Sequence, residues 1–369
     1  MAVSRHGTAI RWGVVAALVA VLAVLPSVIG ALPASDAAVS AADLRARVLA
    51  SDGVGFSGYA ESAGGLSLPV TDQLTAVADL LSQRTTMRVW WRGPADNRVD
   101  VVTAMGETDT YRDPSGTWTW EYERSTATRA ATAPLSLPAP PDLLPSSLGR
   151  RLLSEATDAE LSRVGARRVA GRSALGIRLT PADPSSSVGA VDLWVDADSG
   201  LPLQVQVVEK GGKQPALDTR FLDLELTRPD ASLTAFTPPP GATVREDRQA
   251  EIVLEAGQRL RRVELPGDLA GLPRRTLCDV PGAIGVYGRG VTLLAVAPVP
   301  ERLAAGLHRA LRQSPGAVLD RSGIRIAAGP VGLMLVEPPG RTPYVLTGTV
   351  TLPALAVAAA QLPDLGAAR

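Results

Sequence analysis

The stretch Val191–Val207, V-D-L-W-V-D-A-D-S-G-L-P-L-Q-V-Q-V, decides the fold class. Val191, Leu193 and Val195 alternate with Asp192, Trp194 and Asp196. After Asp198-Ser199-Gly200, the residues Leu201, Leu203, Val205 and Val207 alternate with Gln204 and Gln206. Successive side chains of an extended chain point to opposite faces, so a period of two on both sides of a turn cluster specifies two antiparallel strands. One face of that hairpin is apolar and must be covered by a core, a second sheet or a ligand.

Outward from this hairpin the same alternation recurs. Met87, Val89 and Trp91 alternate with Arg88, Trp90 and Arg92, and Gly93–Asn97 supplies a loop before Arg98–Thr103 returns. The turn chemistry of Asp113-Pro114-Ser115-Gly116 separates strands at Glu107–Arg112 and Thr117–Glu123. Further strands are predicted at Val54–Glu61, Arg167–Ala170, Leu175–Thr180 and Leu217–Leu226, and helices at Asp43–Leu49, Thr71–Gln83, Leu143–Leu153 and Asp158–Val164. Proline-rich Ala133–Pro145 is expected to be irregular or extended, and the segment from Phe236 to Gly241 closes this unit. A smaller unit follows, with strands at Ile284–Tyr287, Val291–Val296, Gly323–Ala328, Val331–Val336 and Tyr344–Val350 and helices at Pro300–Arg312 and Pro353–Leu362. The chain therefore divides into a leader at 1–36, a large domain at 41–245 and a small α+β domain at 250–363.

The 369 residues carry a formal net charge of zero, so nothing draws the chain toward nucleic acid, and no nucleic-acid partner is expected. Cys278 stands alone, which excludes an intrachain disulfide and argues against a cysteine-based metal site. Arg5 and Arg11 precede an uncharged run from Trp12 to Ser35, a pattern that leaves the N-terminus in the cytoplasm and sends the rest outside. Pro26 and Ser35-Asp36-Ala37 resemble a cleavage region, but the run is also long enough to span a bilayer, so signal peptide and membrane anchor both stay open. No cysteine ends the run, so lipoprotein anchoring is not expected.

Candidate chemistry is sparse. Asp192, Asp196 and Asp198 suggest a calcium loop, yet the twelfth position from Asp192 is Leu203 rather than Glu, which favours an Asx-capped turn. Gly285–Gly290 has the glycines of a phosphate loop without the Lys-Ser/Thr, and a strand follows, so a hairpin turn is expected. His308 has no nucleophile elbow to serve, and Glu155, Asp158 and Glu160 read as a charged helix surface. No enzyme activity, metal or cofactor is expected. The aromatic residues say more: Trp118, Trp120 and Tyr122 share one strand face, and core filling and the lining of an apolar ligand cavity both account for it. Candidate cavity residues are Val89, Trp91, Trp118, Trp120, Tyr122, Leu193, Val195, Leu203 and Val205.

Val191–Val207, followed by F-L-D-L-E-L and F-T-P-P-P-G-A-T-V, resembles the signature of bacterial LolA-like and RseB/MucB-like envelope proteins. T-M-R-V-W-W-R-G-P-A-D-N-R-V-D-V-V, M-G-E-T-D-T-Y-R-D and T-W-T-W-E-Y resemble the N-terminal part of actinobacterial members. The likeness spans Val54 to Val244, and the last unit is similar in size and placement to the small second domain of RseB-like proteins. The resemblance implies an α+β, mostly β fold: a half-open antiparallel β-barrel wrapped on helices, enclosing an apolar cleft. It implies an extracytoplasmic binding protein for a lipid or lipoprotein acyl chain, with a role in sigma-factor control of envelope stress. The alternative is an interaction module for a membrane-anchored anti-sigma factor that takes no lipid.

Overall fold

A computed structural model describes residues 36–66, 75–103, 106–131, 138–247, 257–258, 264–278 and 280–363. The expected leader, the start of the helix predicted from Thr71 and the first five residues of the proline-rich stretch, 133–137, lie outside the described residues. Among the described residues, no helix is long and apolar enough to cross a membrane.

The large body is a twelve-stranded sheet that does not close on itself. Its strands are β1 (Phe56–Gly64), β2 (Arg84–Gly93), β3 (Asp96–Thr103), β4 (Gly106–Asp113), β5 (Gly116–Glu121), β6 (Thr126–Ala130), β7 (Leu161–Val169), β8 (Arg172–Leu179), β9 (Val188–Asp196), β10 (Pro202–Glu209), β11 (Pro215–Glu225) and β12 (Thr243–Glu246). The order across the sheet is β12-β6-β5-β4-β3-β2-β1-β11-β10-β9-β8-β7. The pairs are antiparallel except β12 with β6, which run parallel. The predicted hairpin is β9–β10, with Leu193 opposite Val205 and Val191 opposite Val207. This is the half-open β-barrel that the sequence resemblance implied.

Helices cover the inner face. Ser40 caps α1 (Ala41–Ala50), its hydroxyl accepting from the Asp43 amide at 3.0 Å. The short α2 (Thr75–Ser82) follows β1 in the chain, and α3 (Pro145–Leu153) begins with proline at its first position. Gly149 lets α3 lie directly on the hairpin: a Cβ there would sit 2.8 Å from Pro202 and 3.0 Å from Leu193. Leu44, Val48, Leu148 and Leu153 join Leu193, Val195, Leu203 and Val205 in one core. Each such side chain taken from water contributes about 1.5–3 kcal/mol.

Several elements differ from the sequence expectation. The helix expected at Asp158–Val164 is a single 3-10 turn, Asp158–Glu160, and the chain then enters β7. Thr157 and Glu160 do make the reciprocal capping bonds of a helix start, but pairing with β8 extends the chain from Leu161. Strands β6 and β12, at the far edge, were not anticipated.

A small two-stranded ribbon, β13 (Asp268–Leu269) and β14 (Leu272–Pro273), leads into the second body. This body is a six-stranded sheet ordered β15-β16-β20-β19-β18-β17. Its strands are β15 (Gly285–Arg289), β16 (Thr292–Pro298), β17 (Val318–Asp320), β18 (Gly323–Ala328), β19 (Val331–Val336) and β20 (Tyr344–Gly348). Helix α4 (Glu301–Gln313) packs Leu307 and Leu311 with Ile324, Ile326, Leu333 and Leu335. Helix α5 (Leu352–Ala360) packs Leu355 and Ala358 with Met334 and Leu346. Because adjacent residues of β19 alternate, the two helices lie on opposite sides of the sheet.

Candidate functional site

The nine candidate residues fall on two faces of the large sheet. Val89, Trp91, Leu193, Val195, Leu203 and Val205 share the inner core, each at 0–2% exposure. The ring of Phe56 stacks on Trp91 at 5.7 Å. Trp118, Trp120 and Tyr122 lie on the outer face. The register settles this, since Trp120 is opposite Asp109 and Trp118 opposite Tyr111, whereas Val89 runs across to Val99 and Thr110. On that face Phe236 lies 5.7 Å from Trp118, 6.2 Å from Trp120 and 4.5 Å from Tyr111. Tyr122 meets Trp120 edge-on at 5.7 Å and is 52% exposed.

The outer side of the central hairpin is covered by arginines. Arg178 grips Asp192 with two bonds of 2.6 and 2.7 Å, and Arg172 grips Asp196 with bonds of 2.7 and 3.1 Å. The guanidinium of Arg167 lies 3.1 Å over the Trp194 ring. Asp196 also accepts from the Ser199 amide and hydroxyl, while Asp198 is exposed. These acids bind arginines and cap a turn.

A further acidic group was not singled out in the sequence. Asp100, Glu107 and Asp109 bring carboxylate oxygens within 4.8 Å of one another, because β3 and β4 place Asp100 opposite Asp109. Arg98 donates to Asp100 at 2.6 Å and to Asp109 at 2.9 Å, and the Tyr111 hydroxyl donates to Asp109 at 3.1 Å. Burial, reinforced by the Asp100 charge, nonetheless pushes Asp109 up to about 6.

Where the two bodies meet lies a cleft of about 260 Å³, lined by Leu152, Ala156, Glu160, Leu179 and the turn Arg289–Thr292 among others. None of the nine candidate residues lines it. Arg289 projects from the β15–β16 turn and donates to both Glu160 oxygens at 3.0 Å and to the Glu155 carbonyl at 3.0 Å. Arg275 donates to both Glu155 oxygens at 2.6 and 2.8 Å, and the Gly290 amide adds a bond of 2.7 Å. The Arg275 bonds, chiefly, bring Glu155 down to about 2. Burial acts to raise Glu160, but Arg289 and the donors of Thr157 and Ala182 overcome it and hold it at about 2. On the same seam, Ser186 bridges Val350 and the Ser187 amide donates to the Thr349 carbonyl at 3.1 Å.

This corrects the expectation for Glu155 and Glu160, which serve as anchors between the bodies rather than as a solvated helix face. The Gly285–Gly290 segment is strand β15 running into the tight turn to β16, a hairpin as expected rather than a phosphate loop, yet its Arg289 is a cleft residue that the glycine pattern did not mark. The paired residues are 120 and 129 positions apart, so no local periodicity could connect them.

Residues 128–256 match the family model of the MucB/RseB N-terminal domain. No curated protein matches the sequence. Among solved structures, the MucA/MucB complex of Pseudomonas aeruginosa is 18% identical, with 89% of this chain and 99% of that chain covered and a TM-score of 0.49. A LolA superfamily protein from Nitrosomonas europaea is 11% identical over 54% of this chain and 99% of that one, with a TM-score of 0.26. LprF from Mycobacterium bovis is 10% identical over 57% and 100%, with a TM-score of 0.31. With an open antiparallel sheet backed by helices, and a MucB/RseB N-terminal match over residues 128–256, this chain has an RseB-like fold.

Proposed function

We propose that this chain is an extracytoplasmic binding protein of the bacterial envelope that engages a protein regulator, of the membrane-anchored anti-sigma factor class, at the junction of its two bodies. The observation that carries this reading is the junction cleft. Its volume falls below the roughly 300–1,000 Å³ usual for a small-molecule site, and suits one or two anchoring side chains of a partner. Leu152, Leu179 and Val291 give it apolar walls, and Arg289 gives it a charged rim. The family match over residues 128–256 supports the regulatory class, and the basic residues before the N-terminal apolar run support the location. The reading needs no chemical step; His308 hydrogen-bonds Glu337 at 2.5 Å on the small body.

The test is binding of the full chain to the extracytoplasmic segment of such a regulator from the same genome. Leu152→Asp and Val291→Asp should each weaken binding at least about tenfold, the effect of burying an unpaired charge in a contact. Undiminished binding by both variants refutes the junction site, and no binding by the parent chain refutes the regulator reading.

A second reading places an acyl chain beneath α1 and α3, against the inner face of the sheet. Buried polar groups with no hydrogen-bond partner favour it: Trp91 Nε1 and Ser146 Oγ lie within that core region. Delipidated chain that fails to bind a fluorescent fatty acyl probe would end this second reading.

A further inference from the structure

We infer that the first turn of α3, with Trp91 and Arg150, forms a subsite for the anionic headgroup, carboxylate or phosphate monoester, of a single-chain acyl ligand. This inference rests on the acyl reading above and adds a chemical requirement to it.

Helix α3 opens at Pro145 with no side chain capping its end, so the amides of its first turn face outward with the positive end of the helix dipole. Ser146, within that turn, is fully buried and its hydroxyl makes no hydrogen bond; the Ser147 hydroxyl is likewise buried and unpaired. Arg150 lies four residues beyond Ser146 and three beyond Ser147, which places all three on one side of the helix, with the arginine stem leaning toward the N-terminus. Its guanidinium stands 5.6 Å from the centre of the Trp91 ring. Trp91 is 2% exposed, and its indole N–H, which can only donate, meets no acceptor.

The balance of these groups is one-sided. Arg150 donates to the Ser51 carbonyl at 3.3 Å, and among the described residues it forms no ion pair. Burial works against its charge, with Asp52 a weaker opposing influence. A guanidinium, an indole N–H, two hydroxyls and a helix N-terminus all offer protons, so the guest that satisfies them carries acceptors and negative charge. Phe56, Val89 and Phe221 are buried in the same core as Trp91 and form the apolar neighbourhood that a tail would enter by displacing packed side chains. Arg150 is half-buried and Asp52 exposed, which marks the side from which a headgroup reaches solvent.

The experiment compares oleate, oleyl phosphate and oleyl alcohol binding to the delipidated full chain at pH 7.5, with inorganic phosphate as a fourth probe. Oleate and oleyl phosphate should bind at least about tenfold more tightly than the alcohol, as a charge-assisted contact implies. Arg150→Gln, Trp91→Phe and Ser146→Ala should each lower oleate affinity by a larger factor than alcohol affinity, so that the preference for the acid over the alcohol narrows. Thermal unfolding checks that each variant remains folded, and any one that does carries the test. Equal affinity for acid and alcohol overturns the headgroup subsite while leaving the acyl reading intact, and failure of all three oleyl compounds to bind sinks both. Inorganic phosphate binding as tightly as oleyl phosphate overturns the assignment to an acyl headgroup, and folded variants that keep the full preference overturn the assignment to these residues.

Discussion

Replacing Arg289 by alanine and Glu160 by glutamine, singly and together, measures how firmly the two bodies are held. The pair is bidentate, with both contacts at 3.0 Å, and the side chains are 48% and 7% exposed respectively. Charge-assisted hydrogen bonds contribute roughly 1.5–3 kcal/mol each. The exposed half of Arg289 screens this, so a coupling of about 1–2 kcal/mol is expected from the double-mutant cycle. Glu160→Gln alone should be the more damaging single change, because Glu160 also accepts from the Thr157 amide and hydroxyl and from the Ala182 amide. The pH dependence has a definite sign. The carboxyl of Glu160 is held at about 2 in the folded chain against an ordinary 4.5. Its contribution is therefore full above about 4.5 and disappears as pH falls toward about 2. Urea unfolding at pH 7 and pH 3 reads both quantities, and the deficit of Glu160→Gln should shrink at the lower pH. Additive single effects at pH 7, within about 0.3 kcal/mol, would refute the reasoning.

Three other outcomes follow from particular contacts. Leu193→Ala removes a fully buried side chain beneath α3 and should lower unfolding free energy by about 2–5 kcal/mol in urea titration; a change below 1 kcal/mol would mean that α3 collapses onto the hairpin. Asp109, raised to about 6 chiefly by burial, binds its proton more tightly folded than unfolded, so wild-type stability should decline as pH rises from about 4 to 6. Asp109→Asn should flatten that decline, and an unchanged pH profile would count against it. Gly288 sits at φ +85 with Thr292 O only 2.2 Å from where a Cβ would stand, so Gly288→Ala should lower the thermal midpoint sharply, and an unaltered midpoint would show that the turn has another conformation.

Much of the fold was legible because strand alternation is a local signal. The hairpin of β9 and β10 and the strands at Gly323–Ala328 and Val331–Val336 lie where their periodicity puts them. The stretch after Thr157 misled for a physical reason: a true capping box begins a helix there, but strand pairing ends it after one turn. Parity correctly joins Trp118, Trp120 and Tyr122, yet parity is relative within a strand and says nothing of which face the helices cover. That is why three of the nine candidates sit opposite the other six. The junction was illegible because Glu155 with Arg275 and Glu160 with Arg289 are partners only after two bodies have docked.

The middle of the large sheet has a consequence for assembly. There, β1 pairs on one side with β2 and on the other with β11, so Phe56–Gly64 must wait for Pro215–Glu225 before its second edge is covered. Strands β2 to β6 and β7 to β10 can each form from near neighbours, but the seam that unites them has the longest reach in the sheet. Such distant closure slows folding. A chain that emerges gradually from a ribosome or a translocation pore thus holds two unfinished half-sheets until residue 225 has arrived, an interval in which chaperones have a strand edge to guard.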